Sequence, residues 1–527
     1  MKATFRQSMT WLHTWAGLLL GWVSFAIFLT GTATYFRGEI TRWMQPELRS
    51  VGTPLDAARA AVARLARDAA ASPSWFVDLP DGRQVATTLV WRNPAGGRGF
   101  ERVTIDPVTG ADVVARDSRG GEFFYRFHFQ LQLPYPWGRY LACLAALAMF
   151  VALISGIVTH RRFFADFFTF RAGRGSGRAW LDFHNVTAVL ALPFYLMITY
   201  SALVIFIGLV MPWGTKALTP PPTAADPVAT DLAENPTPPA WITPAPLGPM
   251  LELVEQAWGA DGRTLKRIEV VERGTAGCTV KFTRAAGPHV SLGALETLRF
   301  DGDTGALLDE PPAAVGLGRA THDVLYGLHL ARFAGPALRG LFAVMGLAGT
   351  ALIATGLVLW TIKRRPRQRG ARLSFGHGLV ERLNITTIAG LPVACAAFLW
   401  ANRLLPVGLD ARGDWEVHIF LCVWAATLLH PWIRPVMAAW REQLWLGAAL
   451  CVLLPALDAV TATAHLRDAW HDGNRAHLGL DVTLPAIGLL LACGALRVGR
   501  RIHNSATERT AAVDALIDAA PPPETKR

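Results

Sequence analysis

The stretch YLACLAALAMFVALISGIVTH, residues 140–160, carries no acid and no base before its final histidine. At a rise of about 1.5 Å per residue, such a run is as long as a hydrocarbon core of about 30 Å is thick. Seven more runs of this kind lie at about 14–36, 186–211, 340–361, 383–401, 415–432, 443–464 and 479–498. The 527 residues are 52% apolar and include 19 tryptophans, more than a soluble domain needs. The pattern predicts a polytopic all-α membrane protein with about eight transmembrane helices. The first run is too long for a signal-peptide core and has no small-x-small cleavage site after it, so it reads as a retained anchor.

The net charge of +11 is distributed unevenly. Basic residues gather at Lys2 and Arg6, at HRRFF (160–164) and on to Arg178, at KRRPRQRGAR (363–372), at Arg434 and Arg441, and at RVGRR (497–501). Each cluster falls in a loop that a path starting inside assigns to the cytoplasm, so the positive-inside rule puts both termini there. The charge orients helices beside anionic lipid and is no argument for nucleic-acid binding. Five of the six cysteines lie in apolar runs and Cys278 stands alone outside them; there is no C-x-x-C and no C-x-x-C-H. Zinc-ribbon, thioredoxin-like and covalent c-type haem readings therefore fail.

Between the spans, two long polar segments face outward, about 44–125 and 214–325. The first opens with the helical DAARAAVARLARDAA and continues with strand-like QVATTLVW and RVTIDPVTGADVV. The second opens with a proline-rich linker, then the helical MLELVEQAW and strand-like TLKRIEVVE, CTVKF and ETLRFDGDTGALL. TIDPVTGADV and RFDGDTGALL share one plan of strand, aspartate, Thr-Gly turn and strand, so the two segments read as two copies of one small α+β module. The spans repeat as well. His13 precedes Tyr35 by the spacing that separates His184 from Phe206, and Gly156 and Gly356 follow His128 and His329 at nearly equal distances. Residues 1–370 thus read as an internal duplication. The expected parts are a first span (1–43), an outer module (44–125), two spans with a basic inner loop (126–213), and a linker with the second module (214–325). A fourth span with its basic loop (326–370), a four-helix membrane extension (371–503) and a cytoplasmic tail (504–527) complete the chain.

The histidines stand at the ends of these spans. His128, in YRFHFQLQLP, and His329, in YGLHLARFAG, open descending helices at the outer face, and His13 and His184 open ascending ones at the inner face. Duplication makes each the mate of the other, giving one facing pair at each level. Facing imidazoles on packed helices hold a b-type haem without covalent attachment, and two haems across a bilayer form an electron path. A single histidine at an interface is more often an anchor or a helix cap; recurrence at matching places in both halves favours haem for the set. Arg126, Arg139, Arg332 and Arg339 are candidate partners for haem propionates at the outer level. His160 has no mate, because Trp360 takes its place. It is either a ligand in place of His13 or His184 or an ordinary interface residue.

In the extension, HLRDAWHDGNRAHLGLD puts His465, His471 and His477 in one outward loop, either a metal site or a merely solvated segment. Asp458 lies inside the apolar LLPALDAVTA and is a functional candidate, for proton movement or facing His418. His377 and His430 near the inner face invite a further haem or a quinone site, with nothing in the sequence to pair them.

WLHTWAGLLLGWVSFAIFLTGTATYFRGEITRW, GRYLACLAALAMFVALISGIVTHRRFFADFFTFR, DFHNVTAVLALPFY and LHLARFAG followed by GLVLWTIKRR resemble, in that order, the PepSY-associated transmembrane family. The outer segments resemble PepSY domains, with DPVTG and DGDTG as their turns. The resemblance covers about 1–370 and implies a bacterial inner-membrane protein linked to iron acquisition, with periplasmic PepSY modules. Some members are haem-containing reductases of ferric siderophores. It implies that His128, His329, His13 and His184 ligate haem iron in two b-type sites, with the modules flanking a docked ferric chelate. Electrons would come from a quinol or a cytoplasmic reductase, since no flavin or NAD fingerprint is present. The four additional spans depart from the family's usual form. A siderophore or metal transporter and a non-redox regulatory membrane protein are the competing expectations.

Overall fold

A computed structural model describes residues 4–48, 53–80, 86–92, 100–160, 176–213, 244–258, 265–275, 277–284, 290, 297–308, 316–365, 374–461 and 475–518. The chain divides into two compact units, residues 1–116 with 120–353 and residues 117–119 with 354–527. Among the described residues six helices are long and apolar enough to cross a membrane, or eight when each of two bent pairs is one span. The arginines at 161 and 162, the proline-rich linker, His465 and His471 lie outside the described residues.

In the first unit the opening span is broken. Helices α1 (Phe5–Leu19) and α2 (Gly21–Thr34) meet at Leu20 and bend by 63°. The later pair α7 (Ser176–Leu190) and α8 (Leu192–Ile205) meets at Ala191 and bends by 68°, with Pro193 in the first turn of α8. Proline has no N–H to bond back across such a break. The long helices α6 (Trp137–Thr159) and α12 (Pro336–Arg364) run unbroken. α1 packs on α6, and α6 also packs on α8.

His128 and His329 do not open the spans that follow them, as the sequence had suggested. They sit near the ends of separate short helices, α5 (Glu122–Gln130) and α11 (Leu317–Leu330). Each short helix closes on a left-handed residue, Leu131 (φ 55°) or Ala331 (φ 47°), and the chain turns before α6 or α12 begins. α5 packs against α2, and α11 against α8.

The polar segments build one antiparallel sheet in the order β3-β2-β1-β4-β5-β6. Strands β1 (Trp75–Asp78), β2 (Thr87–Arg92) and β3 (Phe100–Ile105) follow helix α4 (Pro54–Asp68); β4 (Leu265–Val271), β5 (Thr279–Arg284) and β6 (Thr297–Asp301) follow α10 (Leu247–Trp258). The two halves therefore share one sheet, joined where Trp75 pairs with Val270 and Asp78 with Arg267. Alternate side chains point to one face; Trp75, Val77, Leu89, Ile268, Phe282 and Phe300 pack there with Leu65, Met250, Leu251 and Val254 of the helices. The turns after β3 and β6 are built alike. Asp106 Oδ1 accepts from Val108 N (3.0 Å), Thr109 N (2.8 Å) and Thr109 Oγ1 (3.0 Å). Asp301 Oδ1 accepts from Asp303 N (3.1 Å), Thr304 N (2.8 Å) and Thr304 Oγ1 (2.8 Å). The bonds from Thr109 and Thr304 hold both carboxyls below the usual carboxylate range. Gly110 (φ 66°) and Gly305 (φ 75°) supply the left-handed step that completes each turn.

The second unit contains the spans Phe375–Leu404, Arg412–Ile433, Val436–Thr461 and Leu478–Arg500. The first of these loosens into a π turn at Thr386–Gly390. A Cβ on Gly390 would stand 2.4 Å from Thr427 Oγ1, so only glycine lets the two helices close there. At one end of this unit Arg412 and Glu416, both fully buried, pair at 2.8 Å. Asn402 Nδ2 donates to the same carboxylate at 2.7 Å, Ser118 Oγ at 2.9 Å and Arg119 N at 3.0 Å. A buried ion pair is tolerable only when its remaining polar positions are filled in this way.

Candidate functional site

α5 brings His128 against α2. Its Nδ1 lies 2.8 Å from the carbonyl oxygen of Ile27. A Cβ at Gly31 would stand 2.5 Å from that same Nδ1, so the ring needs a glycine on the facing helix. α11 brings His329 against α8, with its Nδ1 2.8 Å from Ser201 Oγ. That hydroxyl also reaches Ile198 O at 3.2 Å, which leaves it able to donate to the carbonyl while accepting from His329. The two rings stand 6.1 Å apart, centre to centre, with their planes 37° apart.

The other pair uses the first halves of the bent spans. His13 on α1 lies with Nδ1 2.8 Å from Ala152 O, and His184 on α7 with Nδ1 3.1 Å from Leu352 O. Their rings are 6.4 Å apart and 76° from parallel. Gly156 gives His13 its room, since a Cβ there would come within 3.1 Å of Cε1.

A carbonyl oxygen can only accept. In the neutral rings the bonds of His13, His128 and His184 therefore place the proton on Nδ1 and leave the lone pair on Nε2; the hydroxyl of Ser201 is able to accept from His329 Nδ1 in the same sense. Metal-binding histidines are oriented by this kind of outer bond. The spacing fits as well: two metal–nitrogen bonds of about 2 Å on one axis, with about 1 Å from each nitrogen to its ring centre, separate facing rings by about 6 Å. The two pairs, at 6.1 and 6.4 Å, offer imidazole donors close to that spacing.

The His128–His329 pair lines a cavity of about 730 Å³. Small residues make much of its wall, including Ala142, Ala145, Ala146, Ala202, Gly208 and Gly346. Of the four arginines expected there, Arg139 and Arg332 line the cavity. Arg126 and Arg339 are not among its lining residues. Arg126 is largely exposed beside Glu122, and Arg339 is bound to Glu39 at 2.7 Å and to Tyr35 O at 3.2 Å. Arg37 joins the lining in their stead, held by Glu122 at 3.1 Å and stacked over Tyr125 at 5.0 Å. Repeat matching hid Arg37, because the corresponding place in the second half is Gly208. Tyr125 and Tyr326 also line the cavity, and their signal was in plain view: each stands three residues ahead of its histidine.

His160 ends α6 as its C-cap, with its N–H on Gly156 O at 3.1 Å, and belongs to neither ring pair described above. Asp458 is buried and faces Arg403 at 2.5 Å, while His418 stacks edge-on with Trp415. The loop histidines His465 and His471 lie outside the described residues, and His477 belongs to the helix Arg475–Asp518. Among the described residues no group of three or more His, Cys, Asp or Glu gathers to hold a metal ion.

Fold and site together define a polytopic membrane protein whose bent spans and short helices bring histidines together in two pairs. The sequence pattern of the PepSY-associated TM region matches residues 10–363, and the chain belongs to that family. It is also 29% identical over 384 residues to an uncharacterized protein of Pseudomonas aeruginosa, covering 70% of this chain and 93% of that one.

Proposed function

We propose that this chain is a haem-dependent oxidoreductase of the bacterial inner membrane that passes electrons outward to a ferric siderophore or another ferric chelate, releasing iron. The observation that carries the reading is the common setting of four imidazoles. Each turns Nδ1 to a carbonyl or hydroxyl oxygen, and their rings pair at 6.1 and 6.4 Å. When bound, haem supplies one-electron chemistry at iron.

The protein's own residues do the rest. His128 with His329, and His13 with His184, would hold the haem iron through Nε2. Ile27, Ser201, Ala152 and Leu352 keep those rings in the ligating tautomer. Arg37, Arg139 and Arg332 stand where an anionic group at the cavity would meet guanidinium partners, which hold carboxylates through charge-assisted hydrogen bonds. In this reading the six-stranded sheet is a pair of PepSY modules in the periplasm, residues 1–370 are a duplication, and both termini lie in the cytoplasm. The residue that would have carried a transporter reading, Asp458, is already matched by Arg403.

The test is an absorption spectrum of the protein purified from cells supplied with haem precursor. The reading predicts a Soret band that shifts on adding dithionite and shifts back when a ferric chelate is added. A colourless protein, or a reduced one that the chelate leaves unchanged, contradicts it.

A further inference from the structure

The second unit holds a group of polar side chains that the proposed reading does not use. His377, near the start of the span Phe375–Leu404, has a side chain only 1% exposed. Among the described residues neither of its ring nitrogens makes a well-aligned hydrogen bond, and the same is true of the buried Nε1 of Trp360. The two rings lie 5.9 Å apart and 31° from parallel. Glu381, one turn after His377, brings Oε1 to 3.3 Å from His377 Nε2 and is anchored by Arg365 at 2.6 Å. Asn384 Nδ2 bonds Leu357 O at 3.2 Å and ties this helix to the segment that carries Trp360.

Buried polar groups in native proteins are almost always bonded, and those that are not call for a ligand, a water or a chemical role. Three unsatisfied nitrogens in one cluster, beside a carboxylate, define what would complete it. The indole N–H can only donate, whereas imidazole donates through one nitrogen and accepts through the other. The complement is a flat molecule with an oxygen that accepts from Trp360 and a hydroxyl that donates to His377. The cluster sits where a span begins, beside Lys363, Arg364 and Arg365, the level of the interface at which the polar head of an amphiphilic ligand lies.

We propose that His377, Trp360 and Glu381 bind the head group of a lipid-soluble quinol and take its protons. The inference rests on the reading above for its electron acceptor. Quinol becomes quinone by losing two protons and two electrons; His377 would receive one proton and Glu381 the other, and bound haem would supply the one-electron acceptors for the two electrons. Arg365 keeps the Glu381 carboxylate turned toward His377, and Trp360 holds the second oxygen of the ring.

The experiment uses the full chain in lipid nanodiscs with an azido-quinone for photolabelling and decylubiquinol as competitor and reductant. Label is expected in the peptides around 354–365 and 374–390, competed away by decylubiquinol. His377→Phe is expected to abolish it, and Trp360→Phe to weaken binding about tenfold, the worth of one hydrogen bond to a neutral group. In both variants haem content and reduction by dithionite should stay as in the parent, while reduction by decylubiquinol falls in parallel with labelling. Label elsewhere, or label that decylubiquinol or these substitutions do not move, overturns the proposal and leaves an internal water as the cluster's occupant. A chain that labels here but holds no haem would keep the binding site and sink the oxidoreductase reading. A haem-loaded chain reduced equally fast by decylubiquinol in parent and His377→Phe would do the reverse.

Discussion

In the first unit four imidazoles turn Nδ1 toward backbone carbonyls or a serine hydroxyl; in the second, His377 and His430 lie 3.3 and 3.0 Å from the carboxylates of Glu381 and Glu442. The difference is chemical. A carbonyl only accepts, so in a neutral ring it selects the tautomer with the proton on Nδ1 and the lone pair on Nε2, the form a metal binds. A carboxylate can share or accept a proton, so a ring beside it can change charge. In the reading proposed above, the rings of the first unit are ligands and His377 of the second takes a proton from a bound quinol. The outer partner of each ring, not its place in a span, makes the distinction.

The largest effect that would break this comparison comes from a residue that is not a histidine. Gly31→Val places side-chain atoms where His128 Nδ1 now lies, so the outer pair cannot form, and the purified protein should hold about half the haem of the parent. Unchanged haem content would mean that His128 is not a ligand. Next in size, Glu416→Ala strands the fully buried Arg412 in the second unit and should cost about 3–5 kcal/mol of stability, seen as a lower thermal midpoint. The haem spectrum of the folded fraction should not change; a lost or altered Soret band would show that the second unit takes part in ligation. The smallest effect sharpens the rule within the first unit. Ser201→Ala removes the hydroxyl that orients His329, and haem should be retained about tenfold less tightly while the spectrum stays bis-histidine. Equal retention would mean that Ser201 does not set the tautomer.

Repetition made much of this legible. The apolar runs marked the spans, and matching histidines at matching offsets led to pairs whose rings the structure brings within 6.1 and 6.4 Å. Other features leave no trace at that level. The left-handed residues that end α5 and α11 are a leucine and an alanine, not glycines, so nothing marked the turn that separates His128 and His329 from the spans after them. Strand β1 is only four residues long and was not anticipated, and with it went the β1–β4 pairing that makes one sheet of two modules. Arg37 has no counterpart in the second half, and symmetry therefore passed over it. Arg403 stands just beyond an apolar run and reads as an ordinary boundary arginine; that it meets Asp458 depends on how two helices pack.

The central claim is that histidine pairs His128–His329 and His13–His184 each hold a haem. Its most direct measurement is the haem-to-protein ratio of the parent and of the His128→Ala, His329→Ala double variant, each with a spectrum of the low-spin iron. The account predicts two haems per chain in the parent, and one remaining bis-histidine haem in the variant. A parent with no haem, or a variant that keeps both, would contradict it.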